Sequence, residues 1–208
     1  MKRLLLLIPV IAIIGCGLFG GADYYPLKVG NIWSYAGMVT VTTSTVTDTT
    51  SKMFITMNIT ANDQTIGGNK VFTSTSRDSI VTFNPDTFMI GTGTSYLREA
   101  DDAILTYSSL TDSTPDTTLM TGLKANKTWT QYVGSDTVVY TVAGAKEDVV
   151  VPANTYSAWK VTEVVNTGGT PMYSWYADGT GMVKMSYTYT YYTATVAVWY
   201  NLTAATIK

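Results

Sequence analysis

The chain has 208 residues, a formal net charge of −2, no histidine and one cysteine. Without histidine there is no Ser-His-Asp triad, no imidazole base and no imidazole metal site. The mild acidity argues against nucleic acid as a partner, because phosphate binding needs clustered Lys and Arg.

Lys2 and Arg3 precede the apolar run Leu4 to Ile14, the charged and hydrophobic regions of a secretory signal. Eleven residues make a helix of about 16 Å, too short for a hydrocarbon core of roughly 30 Å. The run ends in Ile13-Ile14-Gly15-Cys16, which resembles the bacterial lipobox. That resemblance implies diacylglyceryl transfer to the Cys16 thiol, cleavage after Gly15 and N-acylation, palmitate included. Cys16 is therefore the expected lipid attachment site, and residues 1–15 the signal peptide. Cleavage removes Lys2 and Arg3 and leaves the mature chain more acidic. With Cys16 lipidated, no free thiol remains for disulfide or thiolate chemistry. Several acyl chains anchor far more firmly than one. The residue after the cysteine is Gly17 rather than the Asp of inner-membrane retention, so the lipobox resemblance implies the outer membrane of an organism that has one.

Residues 17 to 23 are small and Gly-rich, a flexible tether, so residues 16–23 form the lipidated linker and 24–208 one domain. From Tyr24 onward the chain is crowded with Thr, Val, Tyr and Ile, which favour a pleated surface, and shows no stripe of helical period. Strands are expected over Asn31 to Thr47, Met53 to Thr60, Lys70 to Ser76, Ser79 to Asn84, Ser95 to Glu99 and Ala103 to Ser109. Turns or loops are expected at Asn62-Asp63 with Gly67-Gly68-Asn69, Asn84-Pro85-Asp86, Gly91-Thr92-Gly93 and Thr111 to Asp116. Further strands follow at Lys127 to Val133, Thr137 to Ala143, Thr155 to Val165 and Met172 to Tyr176. After Gly179-Thr180-Gly181 comes a long β-prone tail, Met182 to Ile207. Turns every 8 to 15 residues without helices predict a mainly β single domain of consecutive antiparallel strands, forming a strongly curved sheet, half-barrel or barrel.

Three segments carry a resemblance. Tyr24-Tyr25-Pro26-Leu27-Lys28-Val29-Gly30-Asn31-Ile32-Trp33-Ser34-Tyr35 resembles the opening YxPLxxGNxWxY of a group of uncharacterised bacterial lipoproteins. Val149 to Val161 is similar to their VxVPAGxFxxxKV hairpin, with Asn154 in place of the Gly, and Trp175 to Lys184 to their WYxxGxGLVK segment. The blocks keep their order. The resemblance implies a β-rich fold akin to the half-barrels of lipoprotein carriers, and no particular activity.

The acidic residues are scattered, and one adjacent pair, Asp101-Asp102, falls in a turn, where solvated acids are routine. No catalytic residue, metal ligand or cofactor is expected, and the chain is read as a non-enzyme. A histidine-free carboxylate hydrolase is the remote alternative. Aromatic residues stand out. Tyr187, Tyr189, Tyr191 and Trp199 share one parity if the strand runs unbroken, and such a row either lines a groove for an apolar ligand or covers a core. Trp33, Trp129, Trp159 and Trp175 are expected in the core. Two functions stay open for a membrane-anchored envelope lipoprotein: binding an apolar small molecule in a concave sheet, or docking onto another envelope protein.

Overall fold

A computed structural model describes residues 22–208 apart from 45, 84, 85, 101, 134 and 167. The expected signal peptide, Cys16 and most of the expected tether lie outside the described residues. The described chain is mainly β and contains no helix: thirteen antiparallel strands in one nearly closed, barrel-shaped sheet. They are β1 (Ile32–Thr42), β2 (Thr47–Ile66), β3 (Asn69–Phe83), β4 (Asp86–Ala100), β5 (Ala103–Tyr107), β6 (Asp116–Met120), β7 (Thr128–Val133), β8 (Asp136–Val142), β9 (Glu147–Val151), β10 (Asn154–Val165), β11 (Met172–Ala177), β12 (Gly181–Tyr191) and β13 (Ala194–Thr206). The order around the sheet is β6-β5-β4-β3-β2-β1-β13-β12-β11-β10-β8-β7, with β9 attached to β10.

Alternation in the sequence sets the inner face. On β13, Val196, Val198, Tyr200 and Leu202 are buried while Ala197, Trp199 and Asn201 between them are half-exposed. Directly paired residues share a face, so Val39, Gly37 and Tyr35 of β1, opposite Val198, Tyr200 and Leu202, also point inward. Met53, Ile55 and Met57 of β2 follow. At Gly37 the Tyr200 ring lies against the backbone, and a Cβ there would run into that ring and the Trp199 carbonyl.

Five expectations are corrected. Asn62-Asp63 lies within β2 and is no turn. Gly91-Thr92-Gly93 is no turn but the middle of β4, paired with Asp78, Arg77 and Ser76. The missing side chain of Gly93 admits close pairing, since a Cβ there would sit 2.9 Å from the Ser76 hydroxyl oxygen. By the same pairing the two strands expected on either side of Arg77-Asp78 are one, β3. The strand expected to reach Thr47 stops at Thr42, because the Thr43 hydroxyl accepts the Val46 N–H (3.3 Å) and the Thr43 N–H donates to the Val46 carbonyl (2.8 Å), a local turn that competes with the ladder. The loop expected over Thr111 to Asp116 is followed by a strand, β6, that alternation in so short a segment does not reveal.

The C-terminal tail is a hairpin. It turns at Tyr192-Thr193, with Tyr191 opposite Ala194 and Tyr192 at φ 54°, a left-handed conformation uncommon outside Gly and Asn. The turns at 43–46 and 192–193 mark the distal end of the barrel. The chain enters at the other end, where the Asp23 N–H meets the Asp178 carboxylate (2.7 Å) and the Gly179 N–H the Asp23 carbonyl (2.7 Å).

Candidate functional site: the barrel interior

The three family-like blocks converge at the entry end of the barrel. Asn31, fully buried, donates from Nδ2 to the Pro26 carbonyl (3.0 Å) and accepts at Oδ1 from the Lys208 N–H (2.9 Å), clasping the entering segment to the C-terminus. From the same block, Trp33 donates from Nε1 to the Thr180 carbonyl (2.6 Å) and Tyr35 from its hydroxyl to the Met182 carbonyl (2.9 Å), tying it to the third. Trp159 in the second block donates to the Tyr24 hydroxyl (3.0 Å). The β9–β10 hairpin that carries this block folds against β12 and β13, with the Ala153 N–H on the Leu202 carbonyl (3.1 Å) and Trp175 donating to Glu147.

These bonds frame an apolar cavity of about 130 Å³ walled chiefly by Tyr25, Trp33, Tyr35, Met57, Tyr176 and Met182. Burial pushes the Tyr25 phenol up to about 12 and those of Tyr35 and Tyr176 well above their ordinary value. All three stay neutral across physiological pH. The cavity thus offers an uncharged aromatic surface to whatever enters it.

A second concavity of about 400 Å³ opens in the distal half, where β6, β7, β8 and β10 meet. Register places Met172, Glu163, Tyr140 and Trp129 in one row with Tyr187 on the inner face. Trp129 and Tyr140 stack with centroids 4.9 Å apart. Partial burial raises the Glu163 carboxyl, and burial together with the charges of Glu163 and Asp116 lifts the Tyr140 phenol to about 12. The Tyr140 hydroxyl donates to Gln131 Oε1 (3.3 Å), and Gln131 Nε2 donates to Asp116 (3.2 Å).

The aromatic row divides. Tyr187 and Tyr189 lie opposite Val198 and Val196, on the inner face, with ring centroids 6.2 Å apart and planes 21° off parallel. Tyr187 packs against the core and Tyr189 is 45% exposed at the mouth. Tyr191 closes the ladder opposite Ala194. Trp199 is opposite Ser186 and Met38, on the outer face: the two-residue turn reverses the chain, so equal parity across it means opposite faces. Of the acidic pair, Asp101 lies outside the described residues, and Asp102 holds the Thr121 N–H with its backbone carbonyl (2.7 Å). Trp33 and Trp175 are buried, as expected, and Trp129 and Trp159 pack at the edge of a second core cluster beside Ile104, Leu119 and Val142. Among the described residues no three potential metal-ligating acids, histidines or cysteines come together, and no helix is long and apolar enough to cross a membrane.

Apart from Met57 of β2, the chief cavity residues belong to the first and third family-like blocks. Their convergence needs Trp33 to reach Thr180 and Tyr35 to reach Met182, contacts 147 residues apart in sequence.

No family model matches the chain, and no curated protein matches it. Two solved structures are similar to it. One is an exported protein with YmcC-like fold from Bacteroides fragilis NCTC 9343, at 12% identity over 89% of this chain and 99% of that one, with a TM-score of 0.51. The other, from Parabacteroides distasonis ATCC 8503 and described as a lipoprotein, has 11% identity over 90% of this chain and 100% of that one, with a TM-score of 0.46. At such identities the likeness to the first speaks for the fold alone.

Proposed function

We propose that this chain is a non-enzymatic lipoprotein of the bacterial envelope, anchored through Cys16 after removal of residues 1–15 and held off the membrane by a short tether, with a barrel that binds a small apolar group. The outer membrane is its place where the organism has one. The observation that carries the binding reading is the cavity of about 130 Å³ between Trp33, Tyr35 and Tyr176, apolar and walled by neutral phenols. Its size selects the ligand. An apolar cavity of about 150 Å³ takes a benzene ring, whereas pockets for larger ligands begin near 300 Å³. A ring or a short branched chain fits; a sixteen-carbon acyl chain does not.

The test is nuclear magnetic resonance of the Trp33 and Tyr35 side chains on titration with benzene and, separately, with palmitate. Benzene is expected to shift both residues in a saturable manner and palmitate to leave them in place. No benzene shift, or displacement by palmitate, overturns the reading.

A further inference from the structure

We propose that the seam between β6 and β7 receives an extended peptide strand bearing Lys or Arg at alternate positions. The sheet path starts at β6 and stops at β7, so each strand keeps one edge of backbone donors and acceptors without a ladder partner. Some of their Cα atoms lie within 8 Å of one another, but no strand pairing joins them among the described residues. The link between them is a side-chain bridge, Gln131 Nε2 to Asp116 Oδ1 at 3.2 Å.

Proteins blunt exposed edges with Lys, Pro or inward charge. The edge sequences here, Asp-Thr-Thr-Leu-Met and Thr-Trp-Thr-Gln-Tyr-Val, hold no Lys and no Pro, and their one charge, Asp116, is the group that a cationic strand neutralises. Tyr132 and Val133 are 77% and 47% exposed. An added strand gains main-chain hydrogen bonds from the edge and specificity from alternate side chains. Insertion between two strands needs about 9.6 Å, two strand spacings. The seam is tighter than that over part of its length, so the peptide enters at the concavity of about 400 Å³ and displaces the Gln131–Asp116 bridge that spans it.

Charge names the occupant. Every second side chain of an inserted strand faces the interior, where the wall carries Asp116, Asp136 and Glu163 and no Lys or Arg. Cationic side chains at that spacing neutralise the three acids. A second copy of this chain pairing through β6 would instead bring another Asp116 against them.

The experiment is hydrogen exchange on the full chain in detergent with three heptapeptides: alternating Lys/Val, alternating Glu/Val, and alternating Lys/Pro, which keeps the charge but loses every second backbone donor. The Lys/Val peptide is expected to slow amide exchange within 116–120 and 128–133 by about tenfold, with the effect fading toward about 0.5 M salt. Asp116→Asn and Glu163→Gln, which preserve shape, are each expected to weaken binding about threefold without lowering the melting temperature. Equal slowing by the Glu/Val or the Lys/Pro peptide, no slowing at about 1 mM peptide, or slowing that follows protein concentration without peptide each overturns the proposal.

Discussion

Replacing Asn31 with Ala tests whether the entry clasp holds the barrel closed. Asn31 is 0% exposed and its amide joins the Pro26 carbonyl (3.0 Å) to the Lys208 N–H (2.9 Å). In the variant the buried Pro26 carbonyl is stranded, at about 1–3 kcal/mol, while Lys208, exposed at the terminus, regains water and loses only the net value of one bond, about 0.5–1.5 kcal/mol. The total of about 1.5–4.5 kcal/mol corresponds to a fall in melting temperature of roughly 3–18 °C for a domain of this size, read by calorimetry on residues 24–208. Asn31→Asp sharpens the test. It keeps an acceptor for Lys208 but sets carboxylate oxygen against the Pro26 carbonyl, so only its protonated form restores the second bond. The folded-state pKa of that carboxyl then lies above the unfolded one, and stability rises as pH falls. A melting temperature within about 2 °C of the parent for Asn31→Ala, or no acid recovery in Asn31→Asp, refutes the reasoning.

Glu163 gives a second pH signature. Partial burial raises its folded-state pKa above the usual 4.5, so the native state binds more protons than the unfolded one just above that value, and stability declines as pH rises through the window. Glu163→Gln is expected to flatten this decline, measured as urea midpoints from pH 4 upward; an unchanged slope counts against it. Cys16→Ser is expected to abolish incorporation of labelled fatty acid and to move the protein to the soluble fraction, and equal labelling of both forms sinks the anchor.

Mainly β architecture was legible because Thr, Val, Tyr and Ile alternate with period two and helical stripes are missing. Less legible was where that alternation breaks. Gly91 and Gly93 read as punctuation, yet both pair within β4, opposite Asp78 and Ser76, and the missing side chain of Gly93 serves its close approach to Ser76; only the neighbouring strand reveals which role a glycine plays. Conversely, Tyr192-Thr193 contains no turn former and still reverses the chain. Local propensity is overruled there by the pairing of eight flanking residues on each side. Missing that turn put Trp199 on the wrong face. Tyr187 and Tyr189, whose parity lies within one strand, share the inner face. The cavity was illegible because its walls come from β1, β2, β6, β11 and β12, and no spacing rule connects them.

The ladder between β1 and β13 sets the order of assembly. β1 is the first strand of the domain, yet it is flanked on one side by β2 and on the other by the last strand, so half of its hydrogen bonding waits for the final thirteen-residue segment. A topology that depends on so distant a pairing pays loop entropy before any contact rewards it and folds slowly. During synthesis, N-terminus first, β1 keeps an open, β-prone edge until β13 emerges, and a chain stopped within β13 would be left with that aggregation-prone edge rather than a smaller barrel.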